Sequence, residues 1–205
     1  MGETVQPAGN FYDKYRTQNP IARWLMSGFL GAFDTLASEA SGVGCALEIG
    51  CGEGELSMRL ARKGLHVRGC DIAGEVVEEA RLRAQAAGLD IPFEECSVEQ
   101  ALGRYEQAEL VVCCEVLEHL EDPRAALEIL EQLSRQYVLV SVPREPLWRV
   151  LNMVRLRYLG QMGNTPGHVQ HWSRHAFLEM LRTRFEIVAV RSPLPWTMAL
   201  CRVRR

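Results

Sequence analysis

The chain has 205 residues, 47% of them hydrophobic and 24% charged, with a formal net charge of −3. That length suits one domain and that composition an ordinary globular protein. The near-neutral balance excludes a global pull toward nucleic acid or an anionic membrane, although Arg144 to Arg157 and Arg202 to Arg205 are locally basic.

No apolar run reaches the roughly 18 residues that span a bilayer, so no transmembrane segment is expected. The N-terminus is polar and lacks the apolar core of a signal peptide. Gln6 stands where myristoylation would want Ser or Thr. The seven cysteines (45, 51, 70, 96, 113, 114 and 201) show no C-x-x-C spacing and fall mostly inside apolar runs. Buried, reduced thiols and a cytoplasmic location follow as expectations.

In chain order, Phe11, Tyr12 and Tyr15 cluster in a polar segment before Pro20, which suits the first turn of a helix. Ile21, Leu25, Phe29 and Phe33 form an apolar stripe at helical spacing, predicting an amphipathic helix to about Ser38. Ser41 to Gly44 ends it. A first strand is expected at Cys45 to Gly50, then a helix with Leu56, Leu60 and Ala61 inward and Gly64 as its stop. A second strand at His66 to Asp71 leads into a helix over about Gly74 to Ala87, with Val77, Ala80 and Ala84 on one face. The third strand, Pro92 to Cys96, carries a proline and belongs at an edge. Glu99 to Gln107 reads as a short polar segment.

Leu110 to Cys114 is a continuous apolar run, as a parallel strand covered on both faces should be. Asp122-Pro123 supplies a cap and first-turn proline for a helix carrying Ala126, Leu127, Leu130 and Leu133. A fifth strand, Tyr137 to Val142, ends at Pro143. The alternation then breaks in an irregular basic stretch, 144–172. Ser173 caps another helix with Phe177, Leu178 and Leu181 inward. Two further strands, Phe185 to Val190 and Met198 to Val203, are joined too closely for a parallel crossover and should pair antiparallel. Repeated strand–helix alternation argues a doubly wound α/β sheet.

The chemistry concentrates in Glu48-Ile49-Gly50-Cys51-Gly52-Glu53-Gly54-Glu55. A strand ends there in a glycine turn, and the following helix start offers free N–H groups to a ligand. A dinucleotide fingerprint, G-x-G-x-x-G, would need glycine at position 55, which is Glu55. Two carboxylates at the helix start repel a pyrophosphate and suit a cationic or phosphate-free ligand. Asp71, ending the second strand, lies where ribose hydroxyls are held in this topology, because a carboxylate accepts from both.

With Asp71 and the run Val112-Cys113-Cys114-Glu115-Val116-Leu117-Glu118-His119-Leu120, this motif resembles the class I S-adenosylmethionine-dependent methyltransferases. The nearest branch is the small-molecule one that includes the ubiquinone O-methyltransferases. The resemblance implies a Rossmann-like seven-stranded sheet in the order 3-2-1-4-5-7-6, with strand 7 antiparallel and helices on both faces. It implies a single domain over 1–205, with a helical cap at 1–41 and an acceptor-side insertion at 144–172. By the same resemblance Glu48, Gly50, Cys51 and Gly52 line the methionine half of S-adenosylmethionine. Asp71 holds its ribose, and Ile72 packs on adenine. Ser97-Val98 stand where the family often has Asp-Ala beside the adenine amino group. Cys114 and Glu115 border the cofactor, and Tyr12 and Tyr15 close over it.

Methyl transfer to oxygen needs an acceptor held close to the methyl group and a route for its proton. Three constellations are candidates. Glu115, Glu118 and His119 would share one face of a helical turn begun after the fourth strand, and suit Mg²⁺ or Mn²⁺. The run resembles the metal ligands proposed in ubiquinone and small-RNA O-methyltransferases, and it also serves metal-free relatives as a plain strand-to-helix turn. His168 and His171, with His119, are candidate catalytic residues, a histidine being a ready general base. Arg144, Arg149, Arg155 and Arg157, interleaved with Trp148 and Leu151, could receive an anionic or lipid-like acceptor or form a solvated helix face. The expectation is methyl transfer from S-adenosylmethionine to a small-molecule or lipid-like acceptor, chiefly at oxygen. An RNA 2′-O-methyltransferase and a non-catalytic cofactor-binding protein are the alternatives, with nucleic acid disfavoured by the charge. Acceptor identity, metal dependence and oligomeric state do not follow from the residues.

Overall fold

The computed structural model describes residues 19–148 and 169–204. Seven strands form one sheet: β1 (Cys45–Ile49), β2 (His66–Asp71), β3 (Phe93–Glu95), β4 (Ala108–Cys114), β5 (Ser134–Pro143), β6 (Phe185–Arg191) and β7 (Trp196–Val203). Their order is β3-β2-β1-β4-β5-β7-β6. β1 to β5 pair parallel and β7 runs antiparallel to both β5 and β6, as the spacing of the last two strands required.

Among the described residues the helices are α1 (Pro20–Glu39), α2 (Glu55–Arg62), α3 (Gly74–Ala86), α4 (Val98–Arg104), α5 (Pro123–Leu133) and α6 (Arg174–Arg182). α1 starts under a side-chain cap from Asn19, whose Oδ1 accepts from Ile21 and Ala22 N–H. α5 starts likewise under Asp122. The period of two in the strands splits the core between two faces. Leu110, Val112 and Cys114 of β4 face α1, α2 and α3, through Phe29, Phe33, Leu60 and Ala80. Val111 and Cys113 face α4, α5 and α6, through Ala101, Leu130 and Phe177. Six of the cysteines are buried, Cys45 is partly so, and all are free thiols. Burial pushes the Cys70 thiol up to about 12, far from thiolate chemistry at neutral pH.

Three differences from the sequence reading have physical causes. Most of the polar segment at 99–107 belongs to a helix, α4, which starts at Val98 and whose inward face is only Val98 and Ala101. Seven residues are too few to display a period, and the capping box of Ser97 and Gln100 was its signature. β5 begins at Ser134, immediately after α5, three residues before the expected start at Tyr137. β7 begins at Trp196, which pairs with Pro143, so the connection from β6 is shorter than expected. Among the described residues no helix is long and apolar enough to cross a membrane.

Candidate functional site

All five parallel strands run the same way, so the loops after β1, β2 and β4 gather at one edge of the sheet, where ligands bind in open α/β folds. Gly50 and Cys51 N–H both donate to the Cys70 carbonyl, at 2.7 and 2.8 Å, and Gly52 N–H donates to Asp71 Oδ2 at 2.9 Å. Asp71 Oδ1 accepts from Ala73 N–H at 3.0 Å. The β2 terminus therefore holds the glycine turn in place. A carboxylate has about four acceptor positions, so Asp71 retains capacity for ribose hydroxyls after these two bonds.

Gly50 has φ +75°, and a Cβ there would lie 2.1 Å from Val116 Cγ2. Both conformation and space demand glycine. Gly52 has φ +50° with nothing within 4 Å of a Cβ position, so its backbone faces open space that a ligand can approach. α2 follows from Gly54 with no side-chain cap. The segment from Glu48 to Glu55 contains no basic side chain. This donor set suits a cationic, phosphate-free nucleoside.

Glu48 is buried, and Ser57 Oγ donates to its Oε2 at 2.5 Å. Burial raises its carboxyl from 4.5 to about 8, against the opposing pull of the Ser57 bond. Cys51 and Cys114 are buried, whereas Ile72 is 53% exposed. A large apolar side chain left open directly after Asp71 is what stacking on a base requires. Ser97 caps α4 and Val98 is buried beneath it.

The acceptor-side candidates are arranged otherwise than expected. Glu115 has φ +61°, the one described residue other than glycine in that region. Only Leu117–His119 form a turn, of the 3-10 type. The α-helical face that would align Glu115, Glu118 and His119 is therefore not formed. Glu115 instead accepts from Ser141 Oγ at 2.8 Å and from Trp196 Nε1 at 2.6 Å, and its N–H donates to the Ser141 carbonyl. Glu118 is buried while His119 is exposed. No group of three metal-ligating side chains assembles among the described residues, and these three do not fit Mg²⁺ or Mn²⁺ as arranged.

His171 Nδ1 lies 3.5 Å from Glu145 Oε1, where the 169–172 segment runs beside the end of β5. Tyr12, Tyr15, Arg149, Arg155, Arg157 and His168 lie outside the described residues. Sequence reading missed Ser141, Glu145, Val116 and Trp196. Ser141 had a local signal, a hydroxyl inside the apolar run of β5. The others had none, because their partners lie far away in the sequence.

A methyltransferase-domain family matches residues 46–136. The ubiquinone biosynthesis O-methyltransferase of Aeromonas salmonicida is 32% identical over 120 residues, which are 57% of this chain and 50% of that protein. That of Erwinia tasmaniensis is 37% identical over 105 residues, 50% of this chain and 43% of the relative. The chain thus spans about half the length of these curated relatives. Among solved structures, magnesium protoporphyrin IX methyltransferase from Synechocystis with bound SAH superposes with a TM-score of 0.70 at 21% identity, covering 93% of this chain and 91% of the other. The N-methyltransferase NodS from Bradyrhizobium japonicum in complex with S-adenosyl-L-homocysteine gives 0.69 at 18%, covering 97% and 94%. The structural likenesses establish the fold. Together with the glycine turn and the Asp71 geometry, the family match marks residues 46–136 as similar to a methyltransferase domain, in a chain that resembles the class I S-adenosylmethionine-dependent methyltransferases.

Proposed function

We propose that the chain methylates a small-molecule or lipid-like acceptor at oxygen, using S-adenosylmethionine. The bound cofactor supplies an electrophilic methyl group on a sulfonium, whose C–S electron pair returns to sulfur. Gly50, Gly52, Asp71 and Ile72 hold it, and Glu48 and Glu115 border it. The observation that carries the acceptor reading is His171, fixed at the C-terminal edge of the sheet between the loops after β4 and β5. Its ring takes the acceptor hydroxyl proton and releases it to water. The ubiquinone biosynthesis O-methyltransferase relatives support oxygen as the acceptor atom.

The test is incubation with methyl-labelled S-adenosylmethionine and a cell extract, followed by partition into organic, aqueous small-molecule and RNA fractions. Label should enter an organic or small-molecule fraction. His171→Ala should lower that incorporation by about 10²-fold or more, the usual contribution of a general base. Label confined to RNA, or undiminished turnover by His171→Ala, would overturn the reading.

A further inference from the structure

His171 is held far more firmly than a surface histidine needs. The Glu118 carbonyl accepts from both Val169 and Gln170 N–H, at 3.0 and 3.1 Å. The Gln170 side chain donates to the Leu120 and Glu121 carbonyls, at 3.3 Å each. On the other flank, Glu145 N–H donates to the Trp172 carbonyl at 2.9 Å, and Trp172 bridges to Arg144. The Trp172 ring packs on Phe177 at 6.0 Å between centroids. A short irregular segment is thus fastened to the loop after β4, to the end of β5 and to α6. The imidazole keeps 35% of its surface exposed, while the Glu145 side chain facing it keeps 11%. Nδ1 thus lies 3.5 Å from a nearly buried carboxylate, on a ring that is itself partly open.

We propose that Glu145 is a positioning residue, whose carboxylate takes the Nδ1–H of His171 and so presents an unprotonated Nε2 to the acceptor. A neutral imidazole carries one N–H, and the hydrogen bond made by one nitrogen decides which tautomer is present. Without a partner either nitrogen can hold the proton, and a base with its proton on Nε2 cannot accept another there. At 3.5 Å the two groups are close but not yet hydrogen-bonded, and catalytic bonds often tighten only in the substrate complex. When Nε2 takes the acceptor's proton, the O–H bond breaks and an N–H bond forms. The resulting imidazolium then sits against the Glu145 charge until water removes the proton. This rests on His171 being the base, as proposed above.

The test reads the tautomer directly, without an acceptor. The full chain is labelled with ¹⁵N-histidine and the ring nitrogens are correlated with their carbon-bound protons at alkaline pH. His171→Asn identifies the signal. Wild type should show His171 as the Nδ1–H form, and Glu145→Ala should convert it to the Nε2–H form preferred by free imidazole. A wild-type Nε2–H ring overturns the inference even if Glu145→Ala does not fold, and so does a tautomer that survives that substitution. Turnover separates the two claims. If Glu145→Ala lowers kcat about tenfold or more with KM unchanged, and adds nothing in the His171→Ala background, Glu145 acts through His171. Losses that add in the double variant overturn the coupling. Full turnover by His171→Ala overturns the base itself, whatever the tautomer.

Discussion

At the residue scale, the two turn glycines separate what folding needs from what a ligand needs. Gly50→Ala forces a Cβ into Val116 and strains a left-handed backbone. Gly52→Ala meets open space, so it costs the free protein only the backbone strain, about 1–2 kcal/mol. It nevertheless places a methyl on the face a ligand approaches. Urea denaturation should show a small loss for Gly52→Ala and a larger one for Gly50→Ala, the latter partly relieved by Val116→Ala. Calorimetry should show cofactor affinity falling at least tenfold for Gly52→Ala. Unchanged affinity in that variant would mean the ligand lies elsewhere.

Glu48 makes a pH prediction at the same scale. Unfolded, its carboxyl titrates near 4.5, and folded it titrates near 8 because burial disfavours the charge. Below pH 4.5 it is protonated in both states and burial of the neutral acid carries no charge penalty. Between these values the unfolded chain releases the proton while the folded chain keeps it. Stability therefore falls as pH rises through this window, by up to about 5 kcal/mol. Glu48→Gln keeps an oxygen for the Ser57 hydroxyl and stays neutral throughout. Denaturation at pH 5 and pH 8 should show the variant losing less stability than wild type between the two. An identical slope would show that Glu48 ionises freely in the folded protein.

At the element scale, the helices and parallel strands were readable because each carries its pattern locally. β4 is an unbroken apolar run, and α5 announces itself with Asp122-Pro123. α4 was hidden because seven residues with two inward positions show no period, and the start of β5 because Ser134, Arg135 and Gln136 are polar and extend no apolar run. The placement of α1 was not legible at all. Its stripe predicts a helix but not its dock, which is β7 and β6 across the far half of the chain. There Phe29 meets Trp196 edge-on at 5.0 Å, and Trp148 lies 5.8 Å from the same ring. Trp196 in turn donates to Glu115, so α1 packing supports the acceptor edge indirectly. Phe29 is 1% exposed, and Phe29→Ala should cost about 3–5 kcal/mol by denaturation. A loss below about 1 kcal/mol would mean that α1 is not part of the cooperative core.

At the scale of the whole molecule, the cofactor and acceptor halves of the site differ in how they are encoded. The cofactor half lies in contiguous motifs, because a strand, its turn and the next helix bring those residues together within one βαβ unit. The proposed acceptor half, with Glu115 on its border with the cofactor, draws on the ends of β4 and β5, the start of β7 and residues 169–172. Trp196 reaches Glu115 across 81 positions of sequence, by way of the antiparallel insertion of β7 beside β5. No local spacing encodes such a meeting, which is why an expected metal triad at Glu115, Glu118 and His119 gave way to a carboxylate clamped by Ser141 and Trp196. The cofactor half alone makes a prediction for the intact chain. A ligand that binds only the folded state at a hundred times its Kd stabilises by about 2.7 kcal/mol. For a chain of this size that is a rise in Tm of about 5–11 °C. S-adenosylmethionine and S-adenosylhomocysteine should both produce it. NADH should not, because position 55, where a dinucleotide-binding turn wants glycine, is Glu55 at the start of α2. A comparable shift with NADH, or none with the adenosyl ligands, would remove the basis for reading the Gly50 to Gly54 turn as their site.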